Sequence, residues 1–204
     1  MDRRTFLGTL TAGSMGMAFG REACSASSQY AGVSIQTYVW TQILGRERKD
    51  LKEHLDLAFK QIADSGYEAV ETFASYVEKP EDAERVKNLL DKCKLTLSGL
   101  YRGGVFHIEE KAQQTLAEIE AFAPVVRQLG CKHLIVNPAP IREREKTDSE
   151  LRCQVKYLNL AGAAARAVGV SLDIHFHTPA LRSNARELRR DLDETDPALV
   201  SLCA

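Results

Sequence analysis

Asp173, His175 and His177 alternate with Leu172, Ile174 and Phe176 in one short segment. Successive side chains of a β-strand point to opposite faces, so the three polar groups share one face and the three apolar groups the other. Two imidazoles two residues apart on a strand can share one divalent ion. His175 and His177 are therefore the candidate metal ligands, and His175 is also a candidate catalytic group. Hydrogen bonds to neighbouring strands, with His177 on a loop, would satisfy the same polar face without a metal. Glu71 is the second candidate catalytic residue, able to hold a substrate hydroxyl, although a salt bridge explains it equally well. Tyr38 and Trp40 offer aromatic faces to a sugar ring or pack into the core. Arg102 could bind a phosphate or carboxylate bidentately, or be a plain surface arginine. His107 and Asn137 complete the candidate substrate contacts.

These residues can meet only if the elements that carry them return to one place. Short apolar runs at 33–38, 67–71, 95–101, 133–137, 171–177 and 200–203 read as strands. Between them lie amphipathic stretches with apolar residues at helical spacing: Leu51, Leu55, Ala58 and Ile62; Ala83, Val86, Leu90 and Cys93; Ala112, Leu116, Ile119 and Ala123; Leu151, Val155, Leu158 and Ala165; and a fifth helix over 184–192. Pro124 is expected to kink the third helix. Thr147 and Glu150 have capping-box spacing. Gly66, Gly130 and Gly169 each stand between a helix and a strand, where a left-handed helix cap favours glycine. Strands separated by helices run parallel, as a doubly wound sheet or a barrel. No Gly-x-Gly-x-x-Gly opens the first helix, which disfavours a dinucleotide-binding sheet. A (β/α)8 TIM barrel leads, with about six of its eight units present. A full barrel takes about 250 residues, so the chain is expected to be the front part of a longer one. The charged runs 142–146 and 182–190 read as a solvated loop and an exposed helix face.

With 204 residues, 44% hydrophobic and 27% charged, the chain can bury one sizeable core. Its formal net charge is -1, and no basic stripe marks a nucleic-acid partner. Residues 1–28 read as an export signal and short linker. Arg3-Arg4 precede Phe6-Leu7 and an uncharged run of small residues too short to span a bilayer. The expected destination is the periplasm or beyond, by the twin-arginine route, with no stable membrane span. The five cysteines form no Cys-x-x-Cys pair and read as small buried hydrophobes. Lipidation at Cys24 is the lesser alternative. Homo-oligomerisation is left open.

The segments Gly32-Val33-Ser34-Ile35-Gln36-Thr37-Tyr38, Gly66-Tyr67-Glu68-Ala69-Val70-Glu71, Gly99-Leu100-Tyr101-Arg102-Gly103-Gly104 and Gly169 to His177 resemble successive strand ends of xylose-isomerase-like TIM barrels, the sugar phosphate isomerase/epimerase group. The resemblance covers residues 29–204. It implies one divalent ion, usually manganese, with magnesium, cobalt or zinc as alternatives, held at the C-terminal mouth by strands five to eight. It also implies a small carbohydrate whose carbonyl the ion polarises while acid and base groups move a proton on the adjacent carbon. In family register His175 stands where glutamate is usual, which counts against simple epimerisation and makes lyase or hydratase chemistry on an oxidised 3-keto sugar or glycoside the alternative to isomerisation or epimerisation. Residues 200–204 align just ahead of the family's aspartate ligand. A carbohydrate-binding barrel without catalysis and an endonuclease-like relative are the other classes, the latter opposed by the charge balance.

Overall fold

The computed structural model describes residues 33–203. The twin-arginine segment, the linker and Cys24 lie outside the described residues. Six strands form one sheet in the order β1-β2-β3-β4-β5-β6: Ser34–Gln36, Ala69–Phe73, Thr96–Gly104, His133–Pro138, Ser171–Ile174 and Val200–Leu202. Every neighbouring pair is parallel. Spatial order follows chain order without the reversal that marks a doubly wound sheet. This is the barrel arrangement, with six of eight strands among the described residues.

Helices α1 (Tyr38–Arg46), α2 (Leu55–Asp64), α3 (Pro80–Cys93), α4 (Glu109–Gln128), α5 (Asp148–Ala167) and α6 (Arg182–Glu194) connect the strands. The expected stripes do the packing. Leu55, Ala58 and Ile62 of α2, Val86 and Leu90 of α3, Ala112, Ile119 and Ala123 of α4, and Leu151, Leu158 and Ala165 of α5 are buried. All of them except Leu151 share one apolar cluster with the outward strand residues Val70, Leu100, Leu134, Val136, Leu172 and Ile174, which are also buried. Pro124 is carried inside α4, which continues to Gln128.

The junctions follow their local chemistry. Gly66, Gly130 and Gly169 have φ of 86°, 77° and 77°, the left-handed region open to glycine at little cost. Thr147 Oγ1 accepts the Glu150 amide (3.3 Å) and Glu150 Oε2 accepts the Thr147 amide (2.7 Å), which closes the capping box. The fifth predicted helix is less regular than its spacing suggests. Ser183, Asn184 and Ala185 all have positive φ, so right-handed helix begins only beyond them.

Gly162 shows how closely α5 lies against the turn before β6. A Cβ added there would stand 2.5 Å from the Leu199 carbonyl oxygen. Alanine is the better helix former by about 1 kcal/mol, but overlap with rigid backbone outweighs that gain. Gly162→Ala is expected to lose about 1–3 kcal/mol of stability, read as a lower urea midpoint at unchanged slope. An unchanged midpoint would mean that the Leu199 turn yields freely.

Candidate active site

Alternation along the strands puts Gln36, Glu71, Phe73, Tyr101, Asn137, Asp173 and His175 on the concave face of the sheet. Pairing links Gln36 to Glu71, Glu71 to Gly99, Phe73 to Tyr101, and Gly103 to Asn137. Glycine at 99 leaves room in this face: a Cβ there would meet Ile135 Cδ1 at 2.7 Å and Glu71 Cγ at 3.4 Å.

Toward the C-terminal ends of the strands the aromatic rings interlock. Phe73 meets Tyr101 edge to face with centroids 5.9 Å apart, Tyr101 meets His175 at 5.8 Å, and His175 meets His177 at 4.9 Å. Such edge-to-face contacts hold rings at fixed angles. The Tyr101 hydroxyl hydrogen-bonds His177 Nε2 at 3.3 Å, and Asn137 bonds the same phenol. Burial pushes the phenol up, and the nearby Glu71 carboxylate pushes in the same direction.

Two electrostatic features suit this cluster to proton transfer beside a cation. Burial raises the Glu71 carboxyl above the usual carboxylate range, while the hydrogen bond donated by Gln36 Nε2 pulls it back. Burial also lowers His175, and the charge of His177 lowers it further. Both effects favour the neutral imidazole, the form that binds metals. Among the described residues no three His, Cys, Asp or Glu side chains converge to hold an ion. His175 and His177 offer two imidazoles, which fit a divalent ion in donor type and supply half of a four-coordinate set.

The other sequence candidates divide. Asn137 is in the ring cluster. Asp173 is not: its Oδ2 accepts from His133 Nδ1 (2.7 Å) and its Oδ1 from Ser171 (2.7 Å). The neighbouring strand satisfies it, with no metal needed. Trp40 does not project from a strand end, because α1 begins at Tyr38. Its Nε1 donates to Gln61 of α2 (2.7 Å), and its ring packs on the core. Tyr38 opens α1 and is 52% exposed. Arg102 follows the inward Tyr101 and therefore points outward, where Glu118 of α4 takes its guanidinium. His107 is buried with Nδ1 unpaired among the described atoms. The charges that act on it are Lys146, Glu150, Glu187 and Arg144, so it belongs with the α5 and α6 side of the molecule rather than with the rings. Tyr101 was missed, although the alternation Gly99, Tyr101, Gly103 marks it as inward.

A family model described as xylose isomerase-like TIM barrel matches residues 59–204. The chain belongs to the xylose isomerase-like TIM barrel family. Over 160 residues it is 26% identical to inosose dehydratase from Geobacillus kaustophilus, covering 72% of this chain and 51% of that protein. A solved sugar phosphate isomerase/epimerase from Parabacteroides distasonis superposes with TM-score 0.63 at 18% identity, covering 86% of this chain and 66% of that one. A xylose isomerase-like TIM barrel protein from Mycobacterium smegmatis in complex with magnesium gives TM-score 0.56 at 11% identity, covering 74% and 56%. At these identities the structures establish the shared fold. The chain spans about half the length of the inosose dehydratase that it matches.

Proposed function

We propose that this chain carries part of the catalytic mouth of a divalent-metal-dependent sugar isomerase or epimerase. The observation that carries the reading is the juxtaposition of a half-buried Glu71, its pKa raised by that burial, with the Tyr101–Asn137–His175–His177 cluster on the concave face. His175 and His177 would hold the ion. When bound, a divalent ion supplies Lewis-acid polarisation of a sugar carbonyl. Glu71 would take the proton from the carbon beside that carbonyl and deliver it to the former carbonyl carbon while the hydroxyl proton passes between the two oxygens, which gives the isomer; the raised pKa brings its proton affinity nearer to working pH. Tyr101 and Asn137 position sugar hydroxyls, and Phe73 supplies an apolar wall.

Manganese leads as the ion, with magnesium, cobalt or zinc as alternatives, and the substrate class is a small carbohydrate. Export through the twin-arginine route belongs to the same proposal. Among the described residues no helix is long and apolar enough to cross a membrane. Dehydration of an oxidised 3-keto sugar is the second reading. It is favoured by His175 in the place where the family usually has glutamate and by similarity to a protein named inosose dehydratase.

Metal-dependent thermal stabilisation tests the proposal. A ligand that binds only the native state raises apparent stability with concentration, by about 2.7 kcal/mol at a hundredfold excess over Kd. Manganese is expected to raise the Tm of the wild-type chain in a saturable manner and to leave His175→Ala unmoved. Turnover of free sugars by the manganese-loaded protein would support isomerisation, and turnover of 3-keto sugars alone would support dehydration. Absence of a manganese shift in the wild type would overturn the metalloenzyme reading.

A further inference from the structure

The two histidines at the mouth are held in different ways. β5 ends at Ile174, and the His175 amide still donates to the Val136 carbonyl of β4 at 2.8 Å, so His175 leaves the sheet with its backbone fixed. His177 lies further on, in extended backbone that leads into the 3₁₀ turn Thr178–Leu181, where its carbonyl accepts the Ala180 amide at 3.0 Å. Residues beyond a ladder are oriented by side-chain contacts rather than by strand pairing. One residue supplies such contacts to both imidazoles. The Tyr101 ring meets His175 edge to face at 5.8 Å, and the Tyr101 hydroxyl hydrogen-bonds His177 Nε2 at 3.3 Å. The imidazoles meet each other at 4.9 Å and 84°. The phenol is fixed in turn: Phe73 meets its ring at 5.9 Å and 89°, and Asn137 bonds its hydroxyl.

Each nitrogen of a neutral imidazole serves one partner in the ring plane, one nitrogen as donor and the other as acceptor. The phenol takes Nε2, so Nδ1 is the nitrogen of His177 left for an ion. A ligating imidazole is neutral and donates the proton on its other nitrogen to a second group, which fixes its tautomer and its plane. We propose that Tyr101 is the positioning residue for His177: its phenol oxygen accepts the Nε2 proton and so commits His177 to bind a divalent cation through Nδ1, while its ring fixes the plane of His175. The inference rests on the divalent-metal reading given above. It also gives the phenol a direction. With Nε2–H filling one lone pair of the phenol oxygen, the phenolic proton is left for Asn137 or for a sugar oxygen, which is what hydroxyl binding by Tyr101 requires.

Calorimetric titration of the full chain with manganese, in the absence of sugar, reads metal binding alone. Tyr101→Phe keeps the ring that meets Phe73 and His175 and removes only the hydroxyl. It is expected to weaken manganese binding by about 10- to 100-fold, the usual effect of removing the outer partner of a ligating histidine, with the metal-free circular dichroism spectrum unchanged. Zinc, which is diamagnetic, gives a second readout in protein carrying isotope-labelled histidine. Proton–nitrogen correlation spectra, assigned by comparison with His177→Ala, should show zinc on Nδ1 of His177 and a proton on Nε2 in the wild type, and a mixture of tautomers in Tyr101→Phe. Wild-type manganese affinity in Tyr101→Phe, or zinc on Nε2 of His177, overturns the inference and leaves the metal reading standing. So does weakened binding with an unchanged nitrogen pattern, which would mean that the phenol acts other than through His177. No binding of either ion by the wild type overturns the metal reading and this inference together.

Discussion

Glu71→Gln is expected to lower kcat of the metal-loaded protein by about 10²- to 10⁴-fold, the usual weight of a positioned acid or base, with little change in stability. Glutamine keeps the shape of the side chain and an oxygen able to accept from Gln36 Nε2. What it loses is the capacity to carry a proton. The pH profile distinguishes this from a packing defect. Burial raises the folded-state pKa of Glu71, and a base acts only when ionised, so wild-type activity should fall as pH drops through a value above the usual carboxylate range. Gln36→Leu removes the hydrogen bond that lowers that pKa and should move the acid limb to still higher pH. Retention of more than a tenth of wild-type kcat by Glu71→Gln would remove Glu71 from the proton-transfer role and leave it as a hydroxyl-binding group.

The strands were legible because each is apolar on its outward face and bounded by a glycine or a cap, as with Gly66 before β2 and Gly169 before β5. The first helix was not legible. Tyr38, Val39 and Ile43 are exposed, and Leu44 is the only buried residue of Tyr38–Arg46, so no apolar stripe announces it and the aromatic run looked like an extension of β1. Alternation identified the face that holds His175, but it could not tell which polar groups on that face find partners across the sheet. Asp173 is satisfied by His133, forty residues away. That pairing depends on the β4–β5 register, which no local pattern encodes. Arg102 drew attention through its charge while its inward neighbour Tyr101 did not, although only Tyr101 contacts both histidines.

The charged runs misled for a related reason, and they carry the second large effect. Lys146, expected on a solvated loop, has a side chain only 1% exposed; its Nζ donates to Glu187 Oε1 (2.6 Å) and Gln154 Oε1 (2.7 Å). From the predicted exposed face, Arg186 and Arg190 reach Asp148 at 2.5 and 3.0 Å. Gln154 Nε2 donates onward to Asp191 Oδ2 at 2.6 Å, while Asp191 Oδ1 has no partner among the described atoms. Cutting one member from a buried ion pair leaves the other charge without compensation. Lys146→Met is therefore expected to cost about 3–5 kcal/mol, enough to remove much of a stability that is typically about 5–15 kcal/mol. The companion variant Asp191→Asn should do the opposite above neutral pH. Burial, with Glu187 adding to it, pushes the Asp191 carboxyl up to about 8, against the pull of Gln154 and Lys146. An acid whose pKa is higher folded than unfolded binds more protons in the native state. Its contribution is thus greatest at pH values below the unfolded pKa, near 4, and is lost as pH rises to about 8. Urea denaturation of the wild type should show stability falling across that window, and Asp191→Asn should flatten the slope while gaining on the order of 5 kcal/mol at pH 9. Parallel curves for the two proteins would mean that Asp191 is ionised throughout and that Lys146 compensates its charge along with that of Glu187.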